Sequence, residues 1–343
     1  MRSHYTVVVR HILPLRSIVS TRNPLHIRIV GMTKFTKFLA LSLSIFALIF
    51  LVFLVKITQS KDVKMPPTVA KGAQPVEVYS DDRFFEGPTW EPRSGKLYFT
   101  AFGKDNQQIL RLESPGKVSV WLDKTEGVNG TFLSNQGTLL AAQSSGHRVM
   151  EYTFSESGPS ESKVLYSNPK LNQPNDICQS VQGDIFFTDP DFKERKNSAV
   201  YHLSKDGQVT KIITEMPLPN GILTSKDGKT LYISDSHQKL WRSYPILENG
   251  TVGSGRVFFN PDVENRDDPD GMTSDIEGNF YFTGRGGVWV VRPDGQALGF
   301  IPMPKFCSNA TFGGQNGQTL YITCDKTVYS LQMQVVGSQF KAR

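Results

Sequence analysis

Six polar residues recur along this chain at a near-regular interval: Glu86, Asn129, Asn175, Asn220, Asp270 and Asn309, separated by 43, 46, 45, 50 and 39 positions. Each is followed by a short apolar run, a turn glycine and a second apolar run. The glycine falls eight positions later in five units, at Gly137, Gly183, Gly228, Gly278 and Gly317, and nine later in the first, at Gly95. Brought together, the six side chains would offer two carboxylates and four carboxamides, with no basic or hydroxyl group among them. Hard, oxygen-only donors of this kind suit calcium, or another divalent cation of similar preference, and not zinc or copper. Taken singly, an Asn or Asp at such a place caps a turn through local side-chain hydrogen bonds. Six in register, including Glu86, which is a poor turn residue, favour a cation site.

Only a particular architecture would make the six converge. After each glycine comes a strand rich in large apolar residues, such as Leu97-Tyr98-Phe99, Ile185-Phe186-Phe187, Leu231-Tyr232-Ile233 and Phe280-Tyr281-Phe282. Their β-branched and aromatic content, bounded by turn residues, is that of buried strands. Helical periodicity is scarce after residue 75. The first five units each continue with two more strand-like stretches, as at 199–203 and 208–213. Four strands per unit, at this repeat length, predict an all-β fold: a six-bladed β-propeller over residues 76–343. The sixth unit runs short near Val336. The stretch 76–79 precedes the first unit and is expected to supply the missing outer strand, so that the chain ends pair and no sheet edge stays open. In a propeller the innermost strand of each blade lines the central channel. The six polar residues stand at the start of those strands and should meet at one mouth.

The basic balance of the chain does not reach this domain. Residues 1–75 contain 11 of the 38 Lys/Arg and one of the 32 Asp/Glu, Asp62, a net of +10, which leaves −4 on the remainder. A nucleic-acid footprint needs Lys and Arg clustered on the folded part, so no nucleic-acid partner is expected. The N-terminal excess divides into a basic region, 1–37, a hydrophobic segment, 38–55, and a linker or stalk, 56–75. In 38–55 only Ser42 and Ser44 are polar, and the flanking charge is positive on one side alone. That pattern predicts a transmembrane signal anchor, or a cleaved signal peptide, with the propeller outside the cytoplasm. Three cysteines are too few for a disulfide scaffold. Cys307 and Cys324 flank the hairpin expected at 309–323, either as two buried thiols or as a pair in an oxidising compartment.

At the repeated residues the sequence resembles a known family. "EGPTW" at 86–90, "PNDI" at 174–177, "FTDP" at 187–190, "PNGI" at 219–222, "DDPDGM" at 267–272 and "NATFGG" at 309–314 are similar to the gluconolactonases. More broadly they resemble the superfamily of senescence marker protein (regucalcin), diisopropyl fluorophosphatase and the paraoxonases. The resemblance spans roughly residues 76–335 and touches all six units. It implies a calcium ion held in the channel by one Glu, two Asn and one Asp, which by motif are Glu86, Asn175, Asn220 and Asp270. Asn129 and Asn309 would then face a substrate, and Asp176 would orient Asn175 from behind. One position departs from the pattern. Many gluconolactonase-like chains carry His-Gly ahead of an Arg-rich strand in the second blade, and here the stretch 143–148 places Ser145 at the histidine position.

The chemistry expected from such a site is hydrolysis of a lactone ring. Glu86 and Asp270 match the charge of calcium, Asn175 and Asn220 add neutral oxygens, and four protein ligands leave coordination open. Asp270 is the candidate general base or, failing that, nucleophile or simple ligand. Two alternatives stand beside this: a phosphotriesterase on the same metal, and a non-catalytic binding propeller with structural calcium. No G-x-S-x-G elbow is present, which disfavours a serine hydrolase. Only His147, His202 and His237 lie in the domain, with no spacing that would build a zinc site.

Overall fold

The apolar runs after each turn glycine become the second strands of six four-stranded antiparallel sheets, five of them simple meanders and the sixth completed by a strand from the start of the domain, arranged as the blades of a propeller. The computed structural model describes residues 64–340, apart from 105, 106, 262 and 266. Among the described residues there is no helix, and none long and apolar enough to cross a membrane. The hydrophobic segment expected to act as a leader, 38–55, lies outside the described residues.

The inner strands of blades 1 to 6 are Phe84–Glu91, Val128–Leu133, Ile177–Gln179, Pro219–Thr224, Met272–Ser274 and Cys307–Gly313. The second strands are Lys96–Phe102, Leu139–Gln143, Ile185–Asp189, Thr230–Asp235, Phe280–Gly284 and Thr319–Cys324. Every residue of Ile185–Asp189 and Phe280–Gly284 is buried. Both faces of a second strand press on neighbouring blades, which is why these segments read as continuous apolar runs and not as alternating ones. The outer strands face solvent: in Glu161–Ser167 no residue is fully buried. Aromatic pairs lock successive blades. Trp241 of blade 4 stacks on Phe282 of blade 5 at 5.0 Å, and Tyr281 meets Phe312 of blade 6 edge-on at 5.0 Å. Such contacts add about 0.5–1.5 kcal/mol each beyond the area they bury.

The ring closes as the short sixth unit requires. Val76–Ser80 pairs antiparallel with Thr327–Gln332, from Val76 opposite Ser330 to Ser80 opposite Thr327. Trp90 of blade 1 stacks on Tyr321 of blade 6 at 5.7 Å across the same seam. The described part of the expected linker adds to this closure. Val69 is buried and the Ala70 N–H donates to the Gln332 carbonyl at 3.0 Å, while further upstream the Lys64 carbonyl accepts from Phe300 N–H in blade 5.

One backbone feature prepares the channel. The inner strands of blades 1, 2, 4 and 6 each shift register at their leading polar residue, between Glu86 and Thr89, Val128 and Thr131, Pro219 and Ile222, and Cys307 and Asn309. A bulge inserts an unpaired residue and re-aims the side chains beside it. Here it turns polar groups into the channel while the rest of each strand stays in its sheet.

Candidate functional site

The structure brings the six leading residues, with Asp176, to one end of the channel. Glu86, Asn175, Asp176, Asn220, Asp270 and Asn309 are all buried, and Asn129 is half-buried. Asn309 reports their convergence directly. Its Nδ2 donates to Glu86 Oε2 at 3.1 Å and to Asp176 Oδ2 at 3.4 Å, which ties blade 6 to blade 1 and to blade 3 on the opposite side of the ring. Its Oδ1 accepts from Ala310 N–H at 2.8 Å. The Asn309 amide therefore turns its N–H groups to carboxylates.

Asp176 occupies the middle of this arrangement. Its Oδ1 accepts from Ile177 N–H at 3.0 Å, and the backbone N–H of Ile222 in blade 4 also favours its charged form. It lies so close to Gly130 of blade 2 that a β-carbon there would collide with Oδ1. One carboxylate thus meets groups from blades 2, 3, 4 and 6.

The electrostatics follow from burial. Desolvation raises the Glu86 carboxyl to about 7, against the Gly87 N–H and the Asn309 amide, which both favour its charged form. Asp270 is held well above the usual carboxylate range by burial, then by the charges of Glu86 and Asp176. Asp176 is raised by burial, then by Glu86. Three carboxyl groups that repel one another in a desolvated channel need either protons or a cation.

The donor chemistry fits a cation. Asn220 Oδ1 and Asn129 Oδ1 are buried with no hydrogen-bond partner among the described residues, and an orphaned buried acceptor is costly unless something positive meets it. Among the described residues no three His, Cys, Asp or Glu side chains group to form a metal cage by themselves. A cation here would depend on carboxamide oxygens as well as on Glu86 and Asp270, a mixture that suits calcium and not zinc.

Neighbouring elements hold the site in place. Asp189, at the end of the second strand of blade 3, accepts from Gln173 N–H at 2.8 Å and Asn172 N–H at 3.0 Å, and so fixes the loop that presents Asn175. A set of hydroxyls absent from the sequence reading does the same for the inner strands. Thr100, Thr188, Ser234, Thr283 and Thr323 take equivalent places in five second strands, all fully buried, with Ala142 in blade 2. Thr100 Oγ1 donates to the Asn129 carbonyl at 3.0 Å and Thr188 Oγ1 to the Asn220 carbonyl at 2.7 Å. Thr283 Oγ1 donates to the Ser308 carbonyl at 2.9 Å. Each crosses from one blade to the inner strand of the next. The signal was present, since the residue after each apolar triplet is Thr or Ser in five units of six.

Glycine permits the close approach of successive inner strands. Gly87 has φ +46°, and a β-carbon there would strike the carbonyl oxygen of Asn129. Near the mouth of blade 2, Ser144 Oγ donates to the Gly127 carbonyl at 2.7 Å, and Ser145 lies beside it on the turn. His147 sits on the same turn at φ +50°, with Nδ1 2.8 Å from the Leu171 carbonyl. Two surface clefts of about 560 and 630 Å³, at the seams of blade 1 with blades 6 and 2, contain none of the seven site residues.

Comparison with known proteins agrees with this architecture. The profile of the SMP-30/gluconolactonase/LRE-like region matches residues 84–326. The chain is similar to a gluconolactonase of Zymomonas mobilis, 29% identical over 298 residues, covering 77% of this chain and 82% of the relative. It is also similar to a pentonolactonase of Haloferax volcanii, 26% identical over 247 residues, covering 70% and 81%. A solved gluconolactonase structure from Xanthomonas campestris superposes with a TM-score of 0.67 at 27% identity, over 79% of this chain and 95% of that one.

Proposed function

The chain belongs to the SMP-30/gluconolactonase/LRE-like family, and from that premise we propose that it is a lactone hydrolase using a divalent cation, calcium by preference, at the mouth of its central channel. The observation that carries this reading is the concentration of buried, mutually repelling Glu86, Asp176 and Asp270 beside the orphaned carboxamide oxygens of Asn129 and Asn220. Glu86, Asn175, Asn220 and Asp270 would hold the ion. When bound, such an ion polarises a carbonyl oxygen and stabilises the negative charge that develops on it during attack.

The remaining work falls to the protein. Hydrolysis adds water across the ring ester, so a proton must leave the attacking water and one must reach the ring oxygen as its bond to the carbonyl carbon breaks. Asp270 would accept the first. Without the cation, burial and then the charges of Glu86 and Asp176 hold its carboxyl well above the usual carboxylate range, and a bound cation would offset that repulsion. Asn129, half-buried and with a carboxamide oxygen that has no partner among the described residues, would contact the substrate from blade 2. Asn309 holds Glu86 and Asp176 in place.

The test is a pH-indicator assay of δ-lactone opening by the purified full chain, with and without a chelator. Calcium-dependent acid release that Asp270→Asn abolishes is the expected outcome. Absence of cation-dependent hydrolysis on any lactone would end this reading.

A further inference from the structure

Two of the three cysteines occupy facing positions beside the channel mouth. Cys307 opens the inner strand of blade 6, Cys324 ends its second strand, and the two are register partners. Directly opposed residues of antiparallel strands bring their Cα atoms to about 4.5–5.5 Å, inside the range of about 4.4–6.8 Å that a disulfide spans. The side chains are aimed at each other, with Sγ atoms 2.6 Å apart, and both are fully buried. Cys178 packs elsewhere, in the apolar core with Phe186 and Trp241.

We propose that Cys307 and Cys324 are joined by a disulfide when the domain folds in an oxidising compartment. The reaction is thiol–disulfide exchange with a small-molecule disulfide such as glutathione disulfide. One cysteine thiolate attacks it and releases a thiol, and the second cysteine then displaces the other half of the reagent. Two protein S–H bonds are replaced by one S–S bond, and the external disulfide is reduced to two thiols. Because both sulfurs are sealed from solvent in the finished blade, the exchange takes place while blade 6 is still assembling.

The bond brackets a short stretch with two duties. Ser308 donates to the Phe85 carbonyl of blade 1 at 2.7 Å and lies 2.8 Å from Thr323 Oγ1. Asn309 holds Glu86 and Asp176. A covalent link between the mouth ends of these two strands secures both contacts in the blade that the two ends of the chain build together.

The experiment uses the full chain produced in an oxidising secretory compartment, denatured in maleimide without reductant and analysed by mass spectrometry. One labelled thiol is expected, on Cys178, rising to three after reduction, with a Cys307–Cys324 cross-linked peptide in the unreduced digest. Cys178→Ser should leave no thiol to label. Reduction should lower the melting temperature by roughly 5–10 °C, as for a disulfide closing a loop of this length. Cys307→Ser should expose two labelled thiols. If that variant fails to fold, the wild-type peptide map still decides. Three labelled thiols without reduction, or a cross-link involving Cys178, would overturn the proposal.

Discussion

Asn309 and Asp176, 133 residues apart in sequence and on opposite blades, meet across the channel through an amide N–H donated to a carboxylate at 3.4 Å. The same amide nitrogen serves Glu86 at 3.1 Å. Two carboxylates that repel each other therefore share one neutral donor, and the channel mouth is braced from side to side.

Removing that brace should cost turnover. Hydrogen bonds to charged groups contribute about 1.5–3 kcal/mol, so Asn309→Ala should lower kcat roughly 10- to 100-fold with KM little changed. Steady-state kinetics on a δ-lactone checks this. A raised KM with kcat retained would instead assign Asn309 to substrate contact.

The two kinds of proposed ligand should separate under calcium titration. Asp270→Asn preserves size but removes both a charge and a proton acceptor, and loss of a general base costs about 10² to 10⁴ in rate. Saturating calcium should not restore it. Asn175→Ala deletes a neutral oxygen, so excess calcium should recover much of its activity. Near wild-type turnover by Asp270→Asn at saturating calcium would reduce Asp270 to a replaceable ligand.

Stability of the chelated protein should fall as pH rises. Burial lifts the folded-state Glu86 carboxyl from 4.5 to about 7, and Asp176 and Asp270 are raised in the same direction. Between these limits the folded state keeps a proton that the unfolded chain has released, so stability present below pH 4.5 is lost progressively up to about pH 7, by about 3 kcal/mol for Glu86. In EDTA the melting temperature should be higher at pH 5.5 than at pH 8, and saturating calcium should shrink the difference. A melting temperature that climbs with pH in EDTA would contradict the burial of these groups.

Thr188→Val tests the hydroxyls behind the site. Thr188 Oγ1 donates to the Asn220 carbonyl at 2.7 Å and accepts from Asp176 N–H at 3.0 Å, fully buried. Valine keeps the shape and leaves both groups unpaired, which costs about 1–3 kcal/mol for a buried group. Lower thermal stability and weaker calcium affinity, by isothermal titration, are expected together. Unchanged affinity would confine Thr188 to a purely structural role.

Much of this was legible before folding. Six polar residues at blade spacing, each a fixed distance from a turn glycine, are a linear pattern. They imply the six sheets, and the short last unit implies the seam at Val76–Ser80. The register of a repeat survives in one dimension because every blade solves the same packing problem. The sequence also isolated Glu86 and Asp270 as carboxylates at equivalent positions, where the other four units carry carboxamides.

Ring closure decided the rest. Asp176 reads as a neighbour of Asn175, yet its carboxylate reaches Ile222 and Asn309 and rests on Gly130. Asn309 reads as one more channel amide, yet it bonds two carboxylates. Thr188 reads as the end of an apolar strand, yet it supports the next blade. Each of these contacts joins residues 30 or more positions apart on different blades, apart from the local pair at Asp176 and Thr188. A repeat records where each blade begins, but not which side chains point across the channel. Bulges at the mouth set that direction, and only in the closed ring do backbone approach, burial and mutual repulsion act on the same few groups.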